Sequence, residues 1–132
     1  MEWVIDAFDC DQEQLQDLSL VQSICNRVIR DLGLKVLGDP LSHRFGGAGG
    51  VTALYMLTES HLTCHTYPEY GMATFNLYCC RERPEWDWRG HLGQLLGSDR
   101  VEVRRLARGL AVKSSASATE ESIGAMKSGD MT

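Results

Sequence analysis

The sequence predicts an α+β fold, a two-layer sandwich in which a mainly antiparallel sheet carries two helices on one face. Three observations lead there. Short apolar or alternating segments recur along the chain, each bounded by turn residues. Two stretches carry a helical period instead, and a run of strands lies between them rather than a regular strand–helix alternation. The 132 residues also suit a single domain, long enough to bury a core without metals or disulfides.

Glu2–Phe8 reads as a first strand, with Trp3, Ile5 and Ala7 alternating against Val4, Asp6 and Phe8. A helix follows, because Val21, Ile24, Cys25, Val28, Ile29 and Leu32 recur at i, i+3, i+4, i+7, i+8 and i+11. Asp17 or Ser19 can cap it, and Gly33 stands where a left-handed residue ends a helix. Residues 34–37 read as a short second strand stopped by Gly38-Asp39-Pro40, and 46–50 as a flexible glycine loop. Residues 51–58 are apolar nearly throughout, the pattern of a strand covered on both faces. With the helices on one face, a subunit partner is expected over the other. Residues 62–67 and 72–80 form a hairpin around Pro68-Glu69-Tyr70-Gly71. Pro84 suits the first turn of a second helix whose buried face is Trp88, His91, Leu92, Leu95 and Leu96. Arg100–Leu106 is a last strand. From Lys113 small polar residues dominate, so the domain is expected to span 1–112 and residues 113–132 to form a disordered tail.

Composition narrows the function by exclusion. Thirteen Lys and Arg against 18 Asp and Glu give a net charge of −5, unlike the basic excess of a nucleic-acid surface. No apolar run approaches the roughly 18 residues of a membrane span, and no basic start with an apolar run suggests a secretory signal. Five cysteines is an odd number, so free thiols in a reducing cytoplasm are expected.

The glycine loop precedes a strand and lacks a following Lys-Ser/Thr, so it is not read as a phosphate cradle. His61, Cys64, His65, Cys79 and Cys80 are zinc-ligand types. Neighbours in a strand point to opposite faces, however, so four ligands do not assemble and no metal is expected. Alternation puts Ala73, Phe75, Leu77 and Cys79 on a core face and Thr74, Asn76, Tyr78 and Cys80 on a more polar one. Thr63, His65 and Tyr67 likewise share a face opposite Leu62, Cys64 and Thr66. Ser60, His65 and Cys80 are thereby candidates to converge, although on spacing alone packing is the better account of His65 and Cys80. A Ser-His-acid hydrolase is a poor fit, since no Gly-x-Ser-x-Gly surrounds Ser60.

The run Glu59-Ser60-His61-Leu62-Thr63-Cys64-His65-Thr66-Tyr67-Pro68-Glu69-Tyr70-Gly71, continuing to Cys80, resembles the bacterial S-adenosylmethionine decarboxylases, small pyruvoyl-dependent enzymes of polyamine synthesis. Gly50-Val51-Thr52 resembles a second family motif, and looser similarity runs from Trp3 to Leu96. The resemblance implies a proenzyme that cuts itself between Glu59 and Ser60 into a β chain of 1–59 and an α chain of 60–132. The Ser60 hydroxyl attacks the Glu59 carbonyl, and elimination from the resulting ester turns Ser60 into a covalent pyruvoyl group that takes the substrate amine as a Schiff base. By matching position His65 is the processing base for the α-proton, Thr52 the assisting hydroxyl and Cys80 the proton donor of the decarboxylation. Glu69 matches the acid that holds the ribose, Tyr67 replaces an adenine-stacking tryptophan, and Phe45 resembles a second stacking aromatic, beside a loop one residue longer than usual. Asn76 replaces an aspartate. A small-molecule substrate and a homodimer of cleaved protomers, arranged as four αββα layers, are implied. The alternatives are arginine or ornithine as substrate, or a processing-dead binding or regulatory paralogue.

Overall fold

The computed structural model describes residues 1–109, so the expected tail at 113–132 lies outside the described residues. The chain begins with strand β1 (Glu2–Phe8), the short helix α1 (Gln12–Leu15) and helix α2 (Leu18–Asp31). Strands β2 (Leu41–Arg44), β3 (Val51–Leu57), β4 (Ser60–Tyr67) and β5 (Met72–Cys79) follow. Helix α3 (Trp88–Leu96) and strand β6 (Arg100–Leu106) complete it. The six strands form one antiparallel sheet in the order β2-β3-β4-β5-β1-β6.

The sheet owes its two faces to the alternation visible in the sequence. Trp3, Ile5 and Ala7 of β1, Leu62, Cys64 and Thr66 of β4, and Ala73, Phe75, Leu77 and Cys79 of β5 are all buried on one side. Against them pack Val21, Ile24, Cys25 and Val28 of α2 and Trp88, Leu92 and Leu96 of α3. Asp17 caps α2 through its carboxylate, which accepts from Leu20 N at 3.1 Å, and Gly33 closes it at φ +67°. The expected α+β two-layer sandwich with both long helices on one face is therefore observed.

Two local expectations are corrected. Residues 34–37 are not a regular strand; Val36 makes one isolated bridge to Leu57, and the ladder resumes as β2 against Val51 to Leu54. Both segments lie along the same edge of β3, interrupted because Gly38 turns left-handed at φ +70° and Pro40 has no N–H to give. The polar, exposed residues of β2 hid it from a search for apolar alternation. Helix α3 begins at Trp88 rather than near Pro84, because the Asp87 carboxylate accepts from Gly90 N at 3.1 Å. Of its expected face, His91 and Leu95 are only half-buried. Within the chain β3 is covered on one side: Val51, Ala53, Tyr55 and Leu57 are buried, but Leu54 and Met56 are 41% and 61% exposed, so the expected cover on the second side is not supplied by the chain itself.

Gly50 does more than loosen its loop. A Cβ there would stand 2.1 Å from the Thr66 carbonyl oxygen, so only glycine lets β3 start this close to β4. Thr66 fixes the junction, accepting from Val51 N at 2.8 Å and donating to Leu15 O at 2.6 Å.

Candidate active site

Strands β3 and β4 are joined by the two residues Thr58 and Glu59, with Leu57 opposite Ser60. A two-residue hairpin normally places its positive φ inside the loop. Here it falls on Ser60, at φ 137°, a region that L-residues rarely occupy and that costs roughly 1–3 kcal/mol. Ser60 also pairs with Cys79, so the end of β5 runs beside the strained bond. The Glu59 carbonyl oxygen consequently accepts two hydrogen bonds from Cys80, one from its N–H and one from its Sγ–H, each at 3.1 Å. Two donors aimed at one carbonyl stabilise negative charge that develops on its oxygen.

The Glu59 side chain is buried, and its carboxylate is met by the Arg83 guanidinium, with Nε 3.4 Å from Oε1 and a closer contact from Nη2. Arg83 also donates to Leu32 O at 3.3 Å, tying the site to the end of α2. The histidine touching Ser60 is His61, its Nδ1 3.5 Å from Ser60 Oγ. On its other side His61 Nε2 lies 2.9 Å from Asn76 Oδ1, and Asn76 Nδ2 donates to Glu2 Oε2 at 2.7 Å. Arg108 donates to the second Glu2 oxygen at 2.6 Å. Asn76's hydrogen bond first, and Arg108 with it, hold the Glu2 carboxyl below the usual carboxylate range.

The residues singled out in the sequence fall into three places. Glu59, Ser60 and Cys80 meet, as described. Thr52 and His65 pair across β3 and β4, Oγ1 to Nδ1 at 3.1 Å, on the open face of the sheet. His65 is five residues from Ser60 on the same strand, about 16 Å at the rise of an extended chain. Tyr67 and Glu69 lie farther on, at the β4–β5 turn, and Phe45 is half exposed beyond β2, edge-on to His43 at 4.7 Å. The expected convergence of serine, histidine and thiol thus does not occur within one chain for His65. Arg83, Glu2 and Arg108 escaped the sequence reading. The one signal for His61 was parity, since it shares the odd-numbered face with Thr63 and His65.

The five thiols separate cleanly. Cys10, Cys25, Cys64 and Cys79 are buried and Cys80 is exposed. Burial pushes the Cys79 thiol up to about 11, helped by the Glu59 carboxylate, and raises Cys64 well above its ordinary value. Those thiols stay protonated and inert, which leaves Cys80 as the accessible one. Among the described residues no group of three or more His, Cys, Asp or Glu is arranged to hold a metal, and no helix is long and apolar enough to cross a membrane.

Fold and site together define a class: a two-layer α+β protein carrying a strained serine whose preceding carbonyl is gripped by two donors. The chain belongs to the S-adenosylmethionine decarboxylase family, whose model matches residues 1–109. It is 34% identical over 107 residues to the S-adenosylmethionine decarboxylase proenzyme of Thermotoga maritima, covering 80% of this chain and 81% of that one. The proenzyme of Fervidobacterium nodosum is 30% identical over 107 residues, covering 80% and 77%. Among solved structures, the crystal structure of the adenosylmethionine decarboxylase from Aquifex aeolicus matches with a TM-score of 0.65. At 20% identity, over 82% of this chain and 92% of that one, this likeness shows a shared fold.

Proposed function

We propose that the protein is a self-processing proenzyme that becomes a decarboxylase of S-adenosylmethionine, supplying the aminopropyl donor for spermidine. The observation that carries this is Ser60 at φ 137°, directly after a carbonyl held by two Cys80 donors at 3.1 Å. Attack by the Ser60 hydroxyl on the Glu59 carbonyl carbon relieves the backbone strain. As that carbonyl becomes tetrahedral, the Cys80 N–H and Sγ–H take up its charge. Arg83 keeps the Glu59 side chain in place, which steadies the residue whose carbonyl is attacked.

The residues present fit a pyruvoyl group, because Ser60 supplies its three carbons and Glu59 is the acyl group that departs. When formed, such a group offers a carbonyl for the substrate amine and an electron sink for loss of the carboxylate. Cys80 Sγ already sits beside this position, and as the accessible thiol it is the proton donor we assign to the decarboxylation step. Tyr67 and Phe45 offer ring faces for an adenine, and Glu69 a carboxylate for ribose hydroxyls. The family favours S-adenosylmethionine over arginine or ornithine. Intact Glu59, Ser60, His65 and Cys80 argue against a processing-dead paralogue.

The wide separation of Ser60 from His65 and Tyr67 is explained by a homodimer. Leu41, Leu54 and Met56 form an exposed apolar patch at the β2–β3 edge of the second sheet face. A copy packed there about a two-fold axis runs its strands the other way, setting its Thr52–His65 pair beside the first chain's Ser60. His65 then removes the Ser60 α-proton, and Thr52 orients its ring. The five free thiols support a reducing, cytoplasmic setting. Release of labelled CO₂ from S-adenosylmethionine, arginine and ornithine, measured in parallel, tests the substrate. Release from the first alone is expected; release only from another overturns the assignment.

A further inference from the structure

We infer that His61 is the base that takes the Ser60 hydroxyl proton during self-cleavage, and that Asn76, held by Glu2, is the residue that positions its ring. The inference rests on the self-cleavage reading and deepens it.

The strand register assembles the network. Tyr78 of β5 faces His61 of β4 on one side and Glu2 of β1 on the other, and Asn76 lies diagonal to both. All project to the open face, since their neighbours Leu77 and Phe75 point into the core. Tyr78 also packs on the His61 ring, the centroids 5.9 Å apart.

Chemistry then fixes every proton. An ionised carboxylate only accepts hydrogen bonds, and Glu2 accepts from Arg108 at 2.6 Å and from Asn76 at 2.7 Å. The Asn76 atom facing Glu2 is therefore its NH₂, which turns Oδ1 toward His61. An amide oxygen also only accepts, so the hydrogen of His61 sits on Nε2, 2.9 Å away. A neutral imidazole carries one N–H, and its lone pair is thus on Nδ1. That atom is 3.5 Å from Ser60 Oγ, the upper limit of a hydrogen bond, a distance that shortens when the base engages. His65 cannot serve here within the chain, five residues along with its Nδ1 on Thr52.

The step balances without any co-reactant. The Oγ–H proton passes to His61 Nδ1 as the bond from Oγ to the Glu59 carbonyl carbon forms. The imidazolium returns that proton to the Ser60 nitrogen as the Glu59–Ser60 C–N bond breaks. The products are an ester and a free Ser60 amine. While the ring is charged, Asn76 accepts from it and Glu2 supplies the balancing negative charge behind. His61 therefore serves the acyl shift, and His65 the later elimination.

The test follows cleavage of the full chain by intact mass. His61→Gly should slow cleavage by at least about a hundredfold, the usual worth of a positioned base, and added imidazole should restore it. Hydroxylamine, which cuts esters, should release no fragment from this variant. Asn76→Asp keeps the acceptor and should cleave within about threefold of wild type, whereas Asn76→Leu should slow by roughly ten- to a hundredfold. This pair also decides the matter should His61→Gly fail to fold. Wild-type cleavage rates in His61→Gly, no response to imidazole by a folded variant, or equal rates in the two Asn76 variants would overturn the inference alone. A wild-type chain that never cleaves removes the self-cleavage reading itself, and this proposal with it.

Discussion

At the Ser60 end of β4 the Glu59 carbonyl, the Glu59 carboxylate and the His61 ring are each held by a residue from another element. At the Tyr67 end of the same strand, Tyr67 is half-buried and Glu69 exposed, in a turn closed by Gly71 in left-handed backbone. One strand thus carries two kinds of site. The first is rigid and strained, as backbone chemistry requires, because a scissile bond must be fixed before it is broken. The second is open and unstrained, as suits residues that wait for a ligand. Substitutions at the first end should change whether the chain is cut, and those at the second what the cut enzyme binds.

The largest effect that can break this division is all-or-none. Ser60→Ala and His65→Ala should each leave whole chains when made alone. Co-expressed, they should cleave the His65→Ala chain, because its Ser60 then meets His65 of the partner subunit. Cleavage restored in the mixture supports a shared site; none restored places His65 in service to its own chain. Next comes stability. Arg83→Met leaves the Glu59 carboxylate buried without its cation, and should cost about 2–3 kcal/mol in urea unfolding, reduced from the fully buried case because Arg83 is one-fifth exposed. An unchanged midpoint would mean that solvent already reaches Glu59.

Smaller still, Tyr67→Ala should raise KM for S-adenosylmethionine by about tenfold, the loss of one stacked ring, while cleavage proceeds at its normal rate. Slowed cleavage there would erase the distinction between the two ends. The smallest effect is on pH dependence. The Glu2 carboxyl is held low in the folded protein, so its contribution is present above its unfolded value of roughly 4.3 and is lost as pH falls through the lower folded one. Melting temperature should therefore fall less steeply in Glu2→Gln than in wild type between about pH 5 and pH 3. Parallel curves would show that Glu2 gains nothing from Asn76 and Arg108.

The fold was legible where side chains repeat. Period two marked the core faces of β1, β4 and β5, and the spacing from Val21 to Val28 marked α2. It failed at β2, whose exposed residues pair through backbone atoms that leave no trace in side-chain pattern. It failed again at the start of α3, where Pro84 drew the expectation and the cap is Asp87, three residues on. The site was half legible. Glu59, Ser60 and Cys80 stood out through a resemblance, and strand parity independently set Cys80 apart from the buried Cys79. Arg83 and Glu2 were invisible because each reaches the site from a segment distant in sequence. The apolar length of β3 suggested cover on both sides, while the chain itself covers only one.

The most direct measurement is the intact mass of the purified protein followed over time, with Ser60→Ala alongside. Two chains, 1–59 ending in a free Glu59 carboxylate and one starting at residue 60 with a blocked N-terminus, are expected from the wild type, and one whole chain from the variant. A wild-type chain that remains whole after prolonged incubation, or a cut that persists in Ser60→Ala, would contradict self-cleavage at the strained serine.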